Sequence, residues 1–147
     1  MTINHVFVWS SAAKFTALRS FYRTVLQPIG YSEMICANNE ALIGFGSDYP
    51  YFWLQKLPEG KENLPTHIAF DAPSKDTPRS VLIYGETAKH SGLDPESVDR
   101  FYQIALENGA RDNGGPGIRK EMSRQPYYSA FVIDSDSNNI EAVCVQK

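Results

Sequence analysis

Asn4-His5-Val6-Phe7-Val8, near the start of the chain, is matched by Thr66-His67-Ile68-Ala69-Phe70 in its second half. Each stretch sets a histidine before a run of Val, Ile, Ala and Phe that reads as a strand. Each leads on to an aromatic pair, in Phe21-Tyr22-Arg23-Thr24-Val25-Leu26 and in Phe101-Tyr102-Gln103-Ile104-Ala105-Leu106, and then to Gly30 or Gly109. Two units of one pattern imply a duplicated fold, with His5 and His67 at equivalent places.

Working outward, the first unit reads as a strand over 3–9, a helix over 12–26 and strands over 31–37, 41–45 and 51–56. Alternation puts His5, Phe7 and Trp9 on one face of the first strand and Val6 and Val8 on the other. Phe15, Leu18, Tyr22 and Val25 recur at helical spacing, and Pro28 and Gly30 end that helix. Asn38-Asn39 suits a tight turn, because Asn tolerates positive φ. A polar linker over 57–65 leads to the second unit. There Asp94 is expected to cap a helix that begins at Pro95 and stops before Gly109. The segment 113–117, Asn-Gly-Gly-Pro-Gly, reads as a loop, followed by strands near 127–133 and 139–145. His5 precedes Phe21 by 16 positions but His67 precedes Phe101 by 34, so the second unit carries an insertion within about 74–92. That insertion holds Val81-Leu82-Ile83-Tyr84 and His90. It reads as a surface loop, a short added strand or a lid; His90 itself reads as a solvated loop residue.

The chain has 147 residues, 42% hydrophobic and 21% charged, which suits a single domain over 1–147 with one module at about 1–57 and another at about 66–147. Its formal charge of −3 and isoelectric point near 5.6 argue against a generic nucleic-acid or anionic-membrane surface. No apolar run approaches the roughly 20 residues of a membrane helix, and the first residues lack the basic start and apolar stretch of a signal peptide. Cys36 and Cys144 are expected to be free thiols in a reducing compartment. The expectation is a soluble cytoplasmic protein with no nucleic-acid and no membrane partner.

Chemistry-bearing residues are few. Glu141 sits in a strand among Ile140, Ala142, Val143 and Val145, and a carboxylate buried there needs a partner: a divalent cation, a basic side chain or edge solvent. Arg119, Lys120 and Arg124 cluster after the glycine-rich segment, either to bind a substrate carboxylate or as a solvated face. That segment is no phosphate cradle, since it lacks the strand, helix and Lys context. Glu121 is a candidate base that nothing in its spacing singles out. Trp9 and Trp53 either line a pocket or belong to the core. Phe21, Tyr22, Phe101 and Tyr102 read as helix–sheet packing.

In this order the signals resemble the vicinal-oxygen-chelate superfamily, which includes glyoxalase I, extradiol dioxygenases, fosfomycin-resistance transferases and bleomycin-resistance proteins, and within it a glyoxalase-like branch. The resemblance rests on His5; Phe21-Tyr22 with Leu26 and Ile29-Gly30-Tyr31; His67-Ile68-Ala69-Phe70; Phe101-Tyr102; Gly109-Ala110-Arg111-Asp112-Asn113-Gly114; Tyr127-Tyr128-Ser129-Ala130-Phe131-Val132; and Asp134 with Asn138-Asn139-Ile140-Glu141. It covers nearly the whole chain outside 74–92. It implies an α+β fold: two βαβββ modules forming a cupped, barrel-like mixed sheet with the helices outside. Where the family usually shows Asp-Pro-Asp-Gly-Asn, this chain has Asp134-Ser135-Asp136-Ser137-Asn138, and Asn138 is expected to take the left-handed conformation of the turn.

The resemblance also implies a site. Family ligands come from the first and last strands of each module, which places His5, His67 and Glu141 at three metal positions. The fourth falls at Trp53, which cannot ligate; Gln55 shares its strand face two residues away. Two histidines and a carboxylate are a ligand set for a divalent ion, Fe2+, Mn2+, Ni2+ or Zn2+. The implied function is a glyoxalase-like metal-dependent enzyme, a lyase, isomerase or dioxygenase, acting on a small oxygen-chelating substrate. Glu141 would be the catalytic residue, and Trp9, Trp53, Gln55, Tyr128 and Arg119 would line the substrate pocket. The alternative is a non-catalytic binder of drugs or aromatic ligands, of the bleomycin-resistance type, in which Trp9, Trp53 and Tyr51 stack on the ligand. A homodimer is expected from the resemblance.

Overall fold

The duplication appears in the computed structural model, which describes residues 3–72, 95–120 and 126–145, as two sheets built alike. The first module runs β1 (Val6–Ser10), α1 (Phe15–Val25), β2 (Ser32–Ala37), β3 (Leu42–Gly46) and β4 (Pro50–Lys56). The second runs β5 (His67–Asp71), α2 (Pro95–Glu107), β6 (Arg111–Arg119), β7 (Tyr127–Ile133) and β8 (Asn139–Cys144). Each forms a four-stranded mixed sheet, ordered β1-β4-β3-β2 and β5-β8-β7-β6, in which the first strand of the module lies parallel to the last. A crossover helix is what a parallel pair requires, and α1 supplies the first of them. The fold is therefore α+β with two βαβββ modules. The expected barrel does not close, and the strands stay in two separate sheets. The modules join instead through side chains behind the sheets, where Phe70 of β5 meets Phe52 of β4 edge-on at 5.2 Å and Tyr31 at 5.7 Å.

Period-2 and period-3.6 patterns meet in that shared core. Phe15, Leu18, Phe21, Tyr22 and Val25 of α1 and Val98, Phe101 and Ala105 of α2 are buried. Against them lie Val8, Ile43, Phe45, Phe52 and Leu54 from one sheet and Phe70, Ala130, Val132, Ile140 and Ala142 from the other. The alternate residues of the same strands form the opposite faces: Phe7, Trp9, Trp53 and Gln55 in module one, and His67, Ala69, Ser129, Phe131 and Glu141 in module two.

A polar clamp ties the modules together. Asp134, 3% exposed, accepts the Tyr22 hydroxyl at 2.6 Å, the Asn138 amide side chain at 2.8 Å and the backbone N–H groups of Asp136 and Asn138. Asp136 accepts the Ser11 backbone N–H at 3.1 Å and pairs with Lys14 at 3.1 Å. It thus offers a carboxylate to the start of α1, whose N-cap residue Lys14 makes no side-chain cap of its own.

Three expectations shift. Segment 113–117 is part of β6 and not a loop: two register shifts, at Asp112/Gly114 and Gly114/Gly117, absorb the glycines while pairing with β7 continues. In the last turn Ser137 has φ +69, while Asn138 is fully buried and uses its side chain to bind Asp134 and the Thr66 N–H. A buried Asn that must satisfy both partners is not free to be the turn residue. The first helix begins at Phe15, later than position 12. The Asn38-Asn39 turn is present, at φ +51 and +52. The 74–92 insertion with His90, the Asp94 cap, Glu121 and Arg124 lie outside the described residues. No helix among the described residues is long and apolar enough to cross a membrane.

Candidate metal and substrate face

The open face of the second sheet gathers the chemistry. Strand β8 pairs parallel with β5 so that Ala69 stands opposite Glu141, which leaves His67 diagonal to the carboxylate. His67 Nε2 lies 3.4 Å from Glu141 Oε2, with the two side chains 49% and 7% exposed. His67 Nδ1 lies 3.1 Å from the Asn139 carbonyl oxygen. Only an N–H can bond to a carbonyl, so Nδ1 carries a proton and Nε2 is the ring atom turned toward Glu141. Asn113 of β6 steadies Asn139 by donating to its side-chain oxygen at 3.0 Å.

Glu141 is poorly satisfied. Its Oε1 is buried without a hydrogen-bond partner, as is the Ser129 hydroxyl on β7. The Ser129 hydroxyl stands close enough to favour the anion without forming a well-directed hydrogen bond to it. Burial pushes the Glu141 carboxyl above the ordinary carboxylate range, and Ser129, His67 and Arg119 pull it part of the way back.

These two side chains fit a divalent ion. Two ligands about 2.1 Å from one ion, at tetrahedral or octahedral angles, lie about 3.0–3.4 Å apart; the His67–Glu141 separation of 3.4 Å is at the upper end. The Nδ1–H to carbonyl bond is the outer contact that orients ligating histidines, and the orphaned Oε1 is an acceptor in want of a cation or a proton. A third donor is not at hand among the described residues. Among the described residues no group of three His, Cys, Asp or Glu side chains could hold a metal. His5 lies exposed on β1's approach, its Nδ1 2.7 Å from the Asn4 side-chain oxygen.

Register explains the fourth position. Phe7 pairs with Trp53 as Ala69 pairs with Glu141, so Trp53 is the structural counterpart of Glu141 just as His5 is that of His67. The Trp53 ring stacks on Phe7 at 5.9 Å and 13°, and it lies over Gly44, where a Cβ would come within 3.0 Å of the indole. Trp9, 46% exposed, and Gln55 continue the same face, being partners across β1 and β4.

Of the remaining expected pocket residues, Arg119 joins the second face and Tyr128 does not. The Arg119 guanidinium lies 5.5 Å from the Phe131 ring centre, and His67 stacks beside the same ring at 6.2 Å. Tyr128 lies on the helix side, its hydroxyl donating to Asp99 at 2.8 Å, because its neighbours in β7 alternate faces. Ser129 and Phe131 take their places in the site through cross-strand register, which no local motif announces. A polar cleft of about 390 Å³ at the module junction, lined by residues such as Ser11, Lys14, Lys61, Asn63 and Asp136, contains none of the expected site residues.

No protein-family model matches the sequence, and no curated protein matches it. Solved structures do match. A glyoxalase/bleomycin resistance protein from Albidiferax ferrireducens superposes with a TM-score of 0.66 at 19% identity, over 93% of this chain and 95% of that one. A glyoxalase/dioxygenase from Nostoc punctiforme gives 0.61 at 19% identity, over 99% and 92%. A mutant of the fosfomycin resistance protein FosX from Listeria monocytogenes, complexed with Mn(II) and 1S,2S-dihydroxypropylphosphonic acid, gives 0.55 at 13% identity, over 96% and 87%. These likenesses, over nearly the whole of each chain, show the fold: two βαβββ modules arranged as in glyoxalase/bleomycin resistance and dioxygenase family proteins, the vicinal-oxygen-chelate fold.

Proposed function

We propose that the protein is a glyoxalase-like enzyme that uses a divalent ion to act on a small substrate with adjacent oxygens. The observation that carries this reading is the His67–Glu141 pair: Nε2 and Oε2 3.4 Å apart, the imidazole oriented by Asn139, and a buried carboxylate oxygen left without a hydrogen bond. The Mn(II)-bound FosX structure, of the same fold, is in keeping with it. Bound between these groups, the ion would act as a Lewis acid on the substrate oxygens. The Asn139 carbonyl holds the His67 ring with Nε2 toward the ion's place. Glu141, half a ligand and half an unsatisfied base, is the group able to hold or pass a proton at Oε1, helped by the burial that raises its proton affinity.

His5 supplies the third donor, and a second copy of the chain brings it. The first module presents an open sheet face with Phe7 and Trp9 40% and 46% exposed, and the second leaves its ligand pair short of a donor. Facing the two surfaces across a twofold axis covers the aromatics and completes two equivalent sites. Metal analysis of the purified protein is expected to give about one ion per chain, abolished by His67→Ala. Mixing His5→Ala and His67→Ala chains after unfolding should restore about a quarter of the sites, since mixed dimers hold one intact set. No metal uptake on titration with Fe(II), Mn(II), Ni(II) or Zn(II) would sink the reading; no restoration on mixing would sink its dimeric form.

A second reading is favoured by one observation, the Phe7–Trp53 stack with Trp9 beside it on an open face. Such a surface suits a flat aromatic ligand, and the protein would then be a binder without chemistry. Ligand-induced quenching of tryptophan fluorescence that persists in chelator, with no response to metals, would select it.

A further inference from the structure

Arg119 holds a position that neither the fold nor the ligand pair demands. Its guanidinium lies on the Phe131 ring at 5.5 Å and donates through Nη2 to the Gly115 carbonyl at 2.7 Å. The strand beneath is cleared for it. Gly114, at φ +144, would put a Cβ 3.3 Å from the Phe131 ring and 3.4 Å from Arg119 Nη2, while at Gly117 a Cβ would just touch Nη1, at 3.6 Å. The glycines that bulge β6 therefore make a trough in which a planar cation lies flat and held. Among the described residues no carboxylate forms an ion pair with it.

Its charge matters to the site. The guanidinium and the His67 ring lie against the same Phe131 side chain. Beside a divalent cation it is unfavourable until an anion arrives. With neutral imidazoles, one carboxylate, one guanidinium and a dication, the formal charge of the face is about +2, which favours a ligand carrying more than one negative charge. A guanidinium presents several donors in a plane, a match for the paired oxygens of a carboxylate or phosphonate.

We propose that Arg119, seated on Phe131 over the glycine trough of β6, is the residue that selects the substrate, and that the substrate carries a carboxylate or similar oxyanion separate from the two oxygens that chelate the ion. The inference rests on the metal reading above for the chelating half of the ligand, and on the Arg119 geometry for the anionic half.

A matched pair of probes tests it: 3,4-dihydroxybenzoate and catechol, which share the adjacent oxygens and differ in one carboxylate. Dissociation constants are measured anaerobically by calorimetry on Mn(II)-loaded protein, and again in chelator. Wild type should prefer the dihydroxybenzoate by about tenfold to a hundredfold, the range of a hydrogen bond to a charged group. In Arg119→Met the preference should fall to about onefold while Mn(II) content holds. Arg119→Lys should keep part of it, a point charge without the fork. Equal affinity for the two probes in wild type, or a preference that survives Arg119→Met, overturns the proposal. Absence of Mn(II) binding with an Arg119-dependent preference for the carboxylate probe in chelator would overturn the metal reading and support this one.

Discussion

Replacing Glu141 by Gln should make the metal-free protein more stable and, in the same stroke, unable to gain from metal. Glu141 is 6% exposed, its Oε1 has no hydrogen-bond partner, and its Oε2 faces His67 Nε2 at 3.4 Å. Gln keeps the shape, removes the charge and places an amide donor where His67 Nε2 can accept it. Removing the charge from a buried carboxylate that lacks a full set of hydrogen bonds amounts to about 1–3 kcal/mol, roughly 3–10 °C in Tm for a domain of this size. The pH dependence has a definite sign. The folded-state pKa of Glu141 is raised above its ordinary 4.5, so the wild-type carboxyl costs nothing below that value, where it is protonated folded or unfolded. The penalty grows as pH rises through the folded pKa and then levels. Thermal unfolding in chelator from pH 4 to pH 8 should show the two proteins alike in acid and Glu141→Gln ahead near neutrality. Mn(II) at about 100 times its dissociation constant should add about 2.7 kcal/mol to wild type alone and close or reverse the gap. A variant no more stable than wild type at neutral pH in chelator, or a gap that widens toward acid, would refute the reasoning.

Other outcomes follow from the same structure. Tyr22→Phe deletes the 2.6 Å bond to Asp134 inside the core and should cost about 1–3 kcal/mol by urea unfolding. Glu33 is held by Arg19 and then Arg23, which lower its pKa below 4.5. Glu33→Gln should therefore cost about 0.5–1 kcal/mol at neutral pH for so exposed a cluster, with the deficit vanishing as pH falls through the depressed pKa. Gly114→Ala forces a side chain to φ +144 and against Phe131; it should lower stability by about 1–3 kcal/mol, and a crystal structure of the variant should show Arg119 moved off the ring.

Much of the fold is legible because it is local. The spacing of Phe15, Leu18, Tyr22 and Val25 and the alternation along β1 and β4 state which atoms avoid water. The repeated His5 and His67 state that one plan was used twice. Strand β6 is hidden because its glycines carry no hydrophobic signal, and only pairing with β7 reveals them as bulges. Tyr128 falls on the helix side and Phe131 on the site side through the register of β7 with β8, a long-range property. Glu141 is legible as a carboxylate out of place among apolar neighbours. The distance from His5 to that carboxylate depends on how modules or copies are arranged, which short-range spacing does not encode.

The Asp134–Asn138 clamp sets how the domain comes apart. It fastens the first helix of one module to the final hairpin of the other, and the Phe52–Phe70 contact lies in the same shared core. Neither half can shed its core without stripping the other's, so the two repeats, though each resembles a complete unit, are expected to melt as one cooperative body, with a single transition in calorimetry. A duplicated architecture has in this way become indivisible: its ancestral seam is now among its least separable parts.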